Sequence, residues 1–184
     1  ILMLIAWVLL VGITTVIARF YKSIFPGKLL CGTNVWFQIH RTVAMISFVI
    51  TAASFVLIFV KVDGLSDRVG VHSWLGIGVM CGVSLQLIGG ILRPNQDSHA
   101  RSVFNVAHRY LGKSVHALAA ATCLVVFNAD YLPRAQRTFG NIMLCIWIGV
   151  QVVWESLFEA HKCHTPDHRS ETLEIYCDMS GSPQ

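Results

Sequence analysis

Five long apolar stretches constrain this chain more than any other feature of its sequence. They run from Ile1 to Ala18, Thr42 to Val60, Val69 to Leu92, about His108 to Ala129, and Thr138 to Trp154. A helix needs about 20 mostly apolar residues to cross a hydrocarbon layer of roughly 30 Å. Inside lipid, backbone polar groups must be satisfied within the segment, so single spans of this length are helices. The stretches predict an all-α, polytopic membrane bundle of five spans. Short connections make successive helices antiparallel neighbours, and an odd number of spans puts the termini on opposite sides. Composition points the same way. Charged residues make up 13% of the chain, against about 25% in a soluble domain. That excludes a disordered chain, charge-driven nucleic-acid binding and an ordinary cytosolic enzyme.

The net charge of +4 is a topology signal. Of fourteen Lys and Arg, eight fall after spans one and three: Arg19, Lys22, Lys28, Arg41, Arg93, Arg101, Arg109 and Lys113. Four fall on the opposite side (Lys61, Arg68, Arg134, Arg137) and two in the tail. The positive-inside rule makes the first side cytosolic. The start of span one is then outside or lumenal and the C-terminus cytosolic. Span one is not a signal peptide, because it ends in Arg19-Phe20-Tyr21-Lys22 and not in a small-residue cleavage site. Its abrupt start is expected of a module cut from a longer chain. Cys81, Cys123 and Cys145 fall inside spans, and Cys31, Cys163 and Cys177 on the cytosolic side, which is no disulfide framework. Pro26-Gly27, Gly64, Arg93-Pro94-Asn95 and Pro133 read as turns.

Histidines are the chemistry-bearing residues, since ionisable groups inside membranes are costly and usually functional. His40, His72 and His108 each lie near the N-terminal end of a span. Antiparallel geometry puts His40 and His108 at similar depth on the cytosolic side and His72 near the outer face. Two imidazoles at matching depth on facing helices are what six-coordinate haem iron needs. A flat porphyrin also requires a small residue one turn on, and Ala44, Gly76 and Gly112 stand four places after the three histidines. The competing reading for any one of them is a cross-helix hydrogen bond. His116, about 12 Å deeper than His108 on the same helix, reads as a packing residue and is the alternative ligand. Trp7, Trp36, Trp74 and Phe104 are candidates for haem contacts or interfacial anchors. The cluster His161, Cys163, His164 and His168 matches no common zinc spacing and reads as a solvated tail.

Together the stretches Leu2-Met3-Leu4-Ile5-Ala6-Trp7, Ala18-Arg19-Phe20-Tyr21-Lys22, Trp36-Phe37-Gln38-Ile39-His40-Arg41, His72-Ser73-Trp74-Leu75-Gly76, Leu92-Arg93-Pro94 and Phe104-Asn105-Val106-Ala107-His108 resemble the cytochrome b561 family. The likeness is to the branch fused to extracellular DOMON-type domains, which includes the ferric-chelate reductases. It covers residues 1–161, as an N-terminally clipped transmembrane domain, and leaves 162–184 as a cytosolic tail. The resemblance implies a four-helix core binding two b-type haems through four histidines. His40 and His108 would hold the cytosolic-side haem, and His72 the outer one. In the family the fourth histidine stands in a His-Gly pair just before the residues matching Ile1-Leu2-Met3, here upstream of Ile1.

The resemblance further implies a transmembrane oxidoreductase. Electrons would pass from a cytosolic donor, ascorbate in the family, to an outer or lumenal acceptor such as ferric chelate or monodehydroascorbate. Family lysines before the second histidine are replaced here by Asn34-Val35-Trp36-Phe37-Gln38-Ile39. A donor site can instead draw on Lys22, Arg41, Arg101, Arg109 or Lys113, each of which also reads as topology-setting charge. The expected location is the plasma membrane or an endomembrane vesicle. Two other readings stay open. One is a haem-containing anchor or relay for a partner redox domain, the other a cofactor-free transporter subunit.

Overall fold

The structure, a computed structural model, describes residues 2–22, 27–61, 63, 70–95, 97–130 and 132–164, the last four of these by backbone alone. Ile1, Arg68, most of the expected tail and the side chains of the His161–His168 cluster lie outside the described residues.

Five helices carry the chain: α1 (Leu2–Phe20), α2 (Val35–Lys61), α3 (Gly70–Ile91), α4 (Ala100–Phe127) and α5 (Arg134–His164). Each is long and apolar enough to cross a membrane. The exposed Leu, Ile, Val and Phe side chains along them are the lipid-facing surface of such a bundle. Several helices begin before their apolar runs: α2 at Val35 and not Thr42, α4 at Ala100 and not near His108, α5 at Arg134 and not Thr138. Hydropathy marks where lipid begins, whereas the i→i−4 ladder continues into the polar interface. His40 therefore sits in the second turn of α2 and His108 in the third turn of α4, while His72 stays in the first turn of α3.

The chain divides into two compact units, Ile1–Cys145 and Ile146–Gln184, so that α5 starts in one and continues into the other. In the second, Trp154 and Phe158 meet edge to face at 4.7 Å, and Gln151 Nε2 donates to Glu155 Oε1 at 3.1 Å.

In the first unit α1 packs on α2 and α3 on α4. Lipid offers apolar side chains no hydrophobic reward for meeting, so close approach through small residues does that work. Gly78 and Gly82 of α3 face Leu118 and Val115 of α4, and a methyl group at Gly82 would overlap Val115. The Gly-xxx-Gly step is thus a packing seam. The core joins Ala6 and Trp7 of α1 to Val79, Val115 and Ala119. Residues Ile5–Leu10 of α1 form a π segment, and Val11 N–H reaches back five residues to the Ala6 carbonyl. Such wide turns displace carbonyls from the regular ladder.

Between α1 and α2 a two-strand hairpin pairs Leu29–Leu30 (β1) with Thr33–Asn34 (β2). Cys31 and Gly32 take φ of 51° and 75°, the two left-handed positions of a type I′ loop. Strands of two residues are too short to leave a periodic pattern, so the sequence shows only a loop there. Gln38, in the first turn of α2, ties the hairpin down by donating from Nε2 to the Leu30 carbonyl at 3.0 Å.

Candidate functional site

Helices α2 and α4 bring His40 and His108 together, with ring centroids 6.4 Å apart and planes at 73°. A metal–imidazole bond is about 2 Å. With the ring centroid ~1.2 Å behind its nitrogen, two imidazoles that shared a metal would have centroids roughly 6.4 Å apart or closer. The observed separation suits a single metal between the two rings.

Hydrogen bonding fixes the His40 tautomer. Its Nδ1 lies 2.9 Å from Thr14 Oγ1 and 3.1 Å from the Thr14 carbonyl. A carbonyl only accepts, so Nδ1 carries the proton. The Thr14 hydroxyl in turn donates to the His40 carbonyl at 3.1 Å, leaving its lone pairs facing Nδ1–H. The Nε2 lone pair of His40 is then available as a ligand, the arrangement that orients and strengthens metal-binding imidazoles. Thr14 is buried, which protects the pair of bonds from competing water. His108 is held differently. Phe104, one turn earlier, stacks on its ring at 5.3 Å and 23°. Gln86 of α3 donates from Nε2 to the His108 carbonyl at 2.7 Å.

His72 stands at the other end of α4. Its Nδ1 donates to the Thr122 carbonyl at 3.2 Å, again leaving Nε2 with a lone pair. Thr122 is fourteen residues beyond His108, or about 21 Å along the helix. The structure thus separates one histidine pair from a third histidine by most of a bilayer core.

His116 has the opposite tautomer. Its Nε2 donates to the Trp7 carbonyl at 3.1 Å within the π segment of α1, and the two rings lie 6.4 Å apart. The nitrogen that the other two histidines leave open is committed here to holding α1. Trp7 is 5% exposed at the bundle centre, so it is neither an interfacial anchor nor at the mouth of the site. Trp74 is 67% exposed. Of the four aromatics that were candidates for haem contacts or interfacial anchors, Phe104 alone has a described ring contact with one of the three histidines.

The small residues one turn on differ in use. A Cβ at Gly76, after His72, would meet nothing within 4 Å, which leaves room beside that ring. A Cβ at Gly112 would come 3.2 Å from Gln86 Nε2, so Gly112 makes way for the Gln86 bond. Ala44 is half-buried.

Cations cluster at the His40–His108 end. The guanidinium carbons of Arg93 and Arg41 stand 4.5 Å and 5.9 Å from the Phe37 ring centroid. Arg41 donates to Gln38 Oε1 at 2.6 Å and Arg101 to the Pro94 carbonyl at 2.7 Å. Lys22 Nζ lies 5.4 Å above the Trp36 ring. Of the residues expected in a donor site, Lys22, Arg41 and Arg101 thus gather here, while Arg109 and Lys113 sit exposed on α4. Arg93 was not among them. Its signal was its place in Leu92-Arg93-Pro94, directly after the last apolar residue of a span. Among the described residues there is no group of three or more metal-ligating side chains. A donor set of two imidazoles suits a metal that brings its other ligands with it, as haem iron does.

Fold and site together define a multi-pass helical membrane protein with a paired-histidine site at one end of its bundle. A family model described as eukaryotic cytochrome b561 matches residues 1–132, and the chain belongs to that family. Family membership implies b-type haem. A relative from Xenopus laevis is 34% identical over 162 residues, covering 87% of this chain and 27% of that protein. The ferric-chelate reductase 1 proteins of Mus musculus and Homo sapiens are 32% and 31% identical over 157 residues, covering 84% of this chain and 26% of each. The chain spans about a quarter of the length of these relatives. No solved structure matches it.

Proposed function

We propose that the chain is the transmembrane electron-transfer unit of a ferric-chelate reductase-type oxidoreductase. Electrons enter from a cytosolic reductant, ascorbate, and leave to an outer or lumenal acceptor such as ferric chelate or monodehydroascorbate. Two haems are expected: His40 and His108 would hold one, and His72 would take part in holding the other. When bound, b-type haem supplies a one-electron iron couple. The protein's share is ligation, burial and orientation. Thr14 holds His40 with its Nε2 lone pair exposed, Phe104 fixes the plane of His108, and the core around Trp7, Val79 and Val115 keeps water from the space between the two ends. The transmembrane unit covers 1–161, with 162–184 as a cytosolic tail, in a plasma or vesicle membrane. The start of α1 is on the outer side and the cation-rich end on the cytosolic side.

The observation that carries this reading is the His40–His108 pair, with His40 locked by Thr14 into a ligating tautomer. Proteoliposomes loaded with ascorbate and given external ferric chelate test it. External iron should be reduced at a rate that depends on the internal ascorbate. Passage only after a partner domain is added would make the chain a relay, and a preparation without b-type absorption would remove the reading altogether.

A further inference from the structure

Helices α3 and α4 are tied at both ends by a side chain of α3 that reaches a carbonyl of α4. At one end His72 Nδ1 donates to the Thr122 carbonyl at 3.2 Å. At the other Gln86 Nε2 donates to the His108 carbonyl at 2.7 Å. Residues 72 and 86 are fourteen apart, and so are residues 108 and 122, so each helix spans about 21 Å between the two bonds. Between them Gly78 and Gly82 face Leu118 and Val115, which keeps the helices in one register along that length.

The bond at Gln86 has features that packing does not explain. A carboxamide inside a membrane span is costly unless its groups are paired. Among the described residues only its donor end is paired, for Oε1 is buried without a hydrogen-bond partner. A leucine of similar volume would fill the space without that cost. The other helix also makes room for the amide. A Cβ at Gly112 would stand 3.2 Å from Gln86 Nε2 and 3.8 Å from its Cδ. In a regular helix the Gly112 N–H closes the turn on the His108 carbonyl. That oxygen has two lone pairs, and Gln86 supplies the second donor. The bond thus lands on the backbone of one histidine of the pair.

We propose that Gln86 is a positioning residue of the His40–His108 site. It acts through His108, by pinning the backbone from which that ring projects to α3, the helix that carries His72. The ring is held separately, by the stacked Phe104. With both ends tied, α3 and α4 form one spacer that fixes the separation of the two sites. The inference rests on the proposed function, in which the pair holds a haem.

The test uses the full-length protein in detergent, as wild type, Gln86→Leu, Gln86→Asn and Gln86→Glu. Leucine removes the amide at nearly constant volume. Asparagine keeps an amide but falls one methylene short of the carbonyl. Glutamate, protonated when buried, restores a donor at the original length. Two quantities are read for each b-type component: its retention against a haem-scavenging apoprotein, and its low-spin ferric EPR signal. The leucine and asparagine variants should lose haem from the His40–His108 component about ten-fold more readily, the lower end for a group that supports a metal-binding histidine, with its EPR signal shifted. The His72-side component should keep wild-type retention and signal. At about pH 5, where a buried carboxyl is protonated, the glutamate variant should match wild type at the same pH. A residue that only packs α3 on α4 would weaken both components alike, and that result overturns the inference. So does wild-type retention of the His40–His108 component in the leucine variant, or a glutamate variant that behaves as leucine does. If the leucine variant does not accumulate, the asparagine variant decides by the same criteria. Absence of a b-type spectrum in the wild type overturns the proposed function instead, and the two failures are distinct.

Discussion

Replacing Thr14 by valine is the sharpest perturbation of the paired-histidine site. Valine matches threonine in shape and removes only the hydroxyl. Two contacts go with it: acceptance of His40 Nδ1–H at 2.9 Å and donation to the His40 carbonyl at 3.1 Å. The Thr14 carbonyl at 3.1 Å from Nδ1 remains, so the tautomer survives. Each lost neutral bond is worth about 0.5–1.5 kcal/mol. Partners of this kind change metal affinity by about 10–100-fold when removed, and the surviving carbonyl puts Thr14→Val at the lower end. Weaker polarisation of Nδ1–H makes imidazole a poorer donor to the oxidised metal, so the midpoint potential of that component should rise. A ten-fold differential effect would be about 59 mV for one electron, which serves as a ceiling. Potentiometric titration followed in the visible range reads the shift. Thr14→Ser restores the hydroxyl and should return the potential to within a few millivolts of wild type. A valine variant with the wild-type potential, or a serine variant shifted as far as valine, would refute the orienting role.

Other expectations follow from the same contacts. His116→Ala should retain every b-type component but lower thermal stability, by about 2 kcal/mol, since it strands the Trp7 carbonyl and opens a gap in the core; loss of a spectral component would make His116 a ligand. Gly82→Val should cost roughly 1–3 kcal/mol by forcing α3 from Val115 of α4, measured as a lower melting temperature in detergent; unchanged melting would mean the seam is looser than the contact implies. Phe104→Ala should broaden the spectrum of the His40–His108 component by freeing the His108 ring, with the His72-side component unaltered as the internal control.

The architecture was legible because lipid makes it so. Continuous apolar runs announce spans, and positive charges sort by side. The pairing of His40 with His108 followed from parity, since histidines starting alternate antiparallel helices share a depth. Local departures were not legible. Nothing in Ile5–Leu10 distinguishes a π segment from an α-helix, because a uniformly apolar run carries no periodicity that would mark either. Helix starts at Val35 and Ala100 lie outside the apolar windows, where hydropathy is silent. Thr14 was invisible as a partner because a threonine in a membrane helix ordinarily bonds back to its own ladder, as Ser47 and Thr51 do here. Arg93 read as one loop charge among eight until the fold set it against Phe37.

His40 and His108 are proposed to share one haem. The direct measurement is a potentiometric titration of b-type absorbance in the full-length protein, wild type against His108→Ala. Two components are expected in the wild type and loss of one in the variant, with the His72-side component unchanged in potential. Retention of both components in His108→Ala, with one lost instead in His116→Ala, would contradict it.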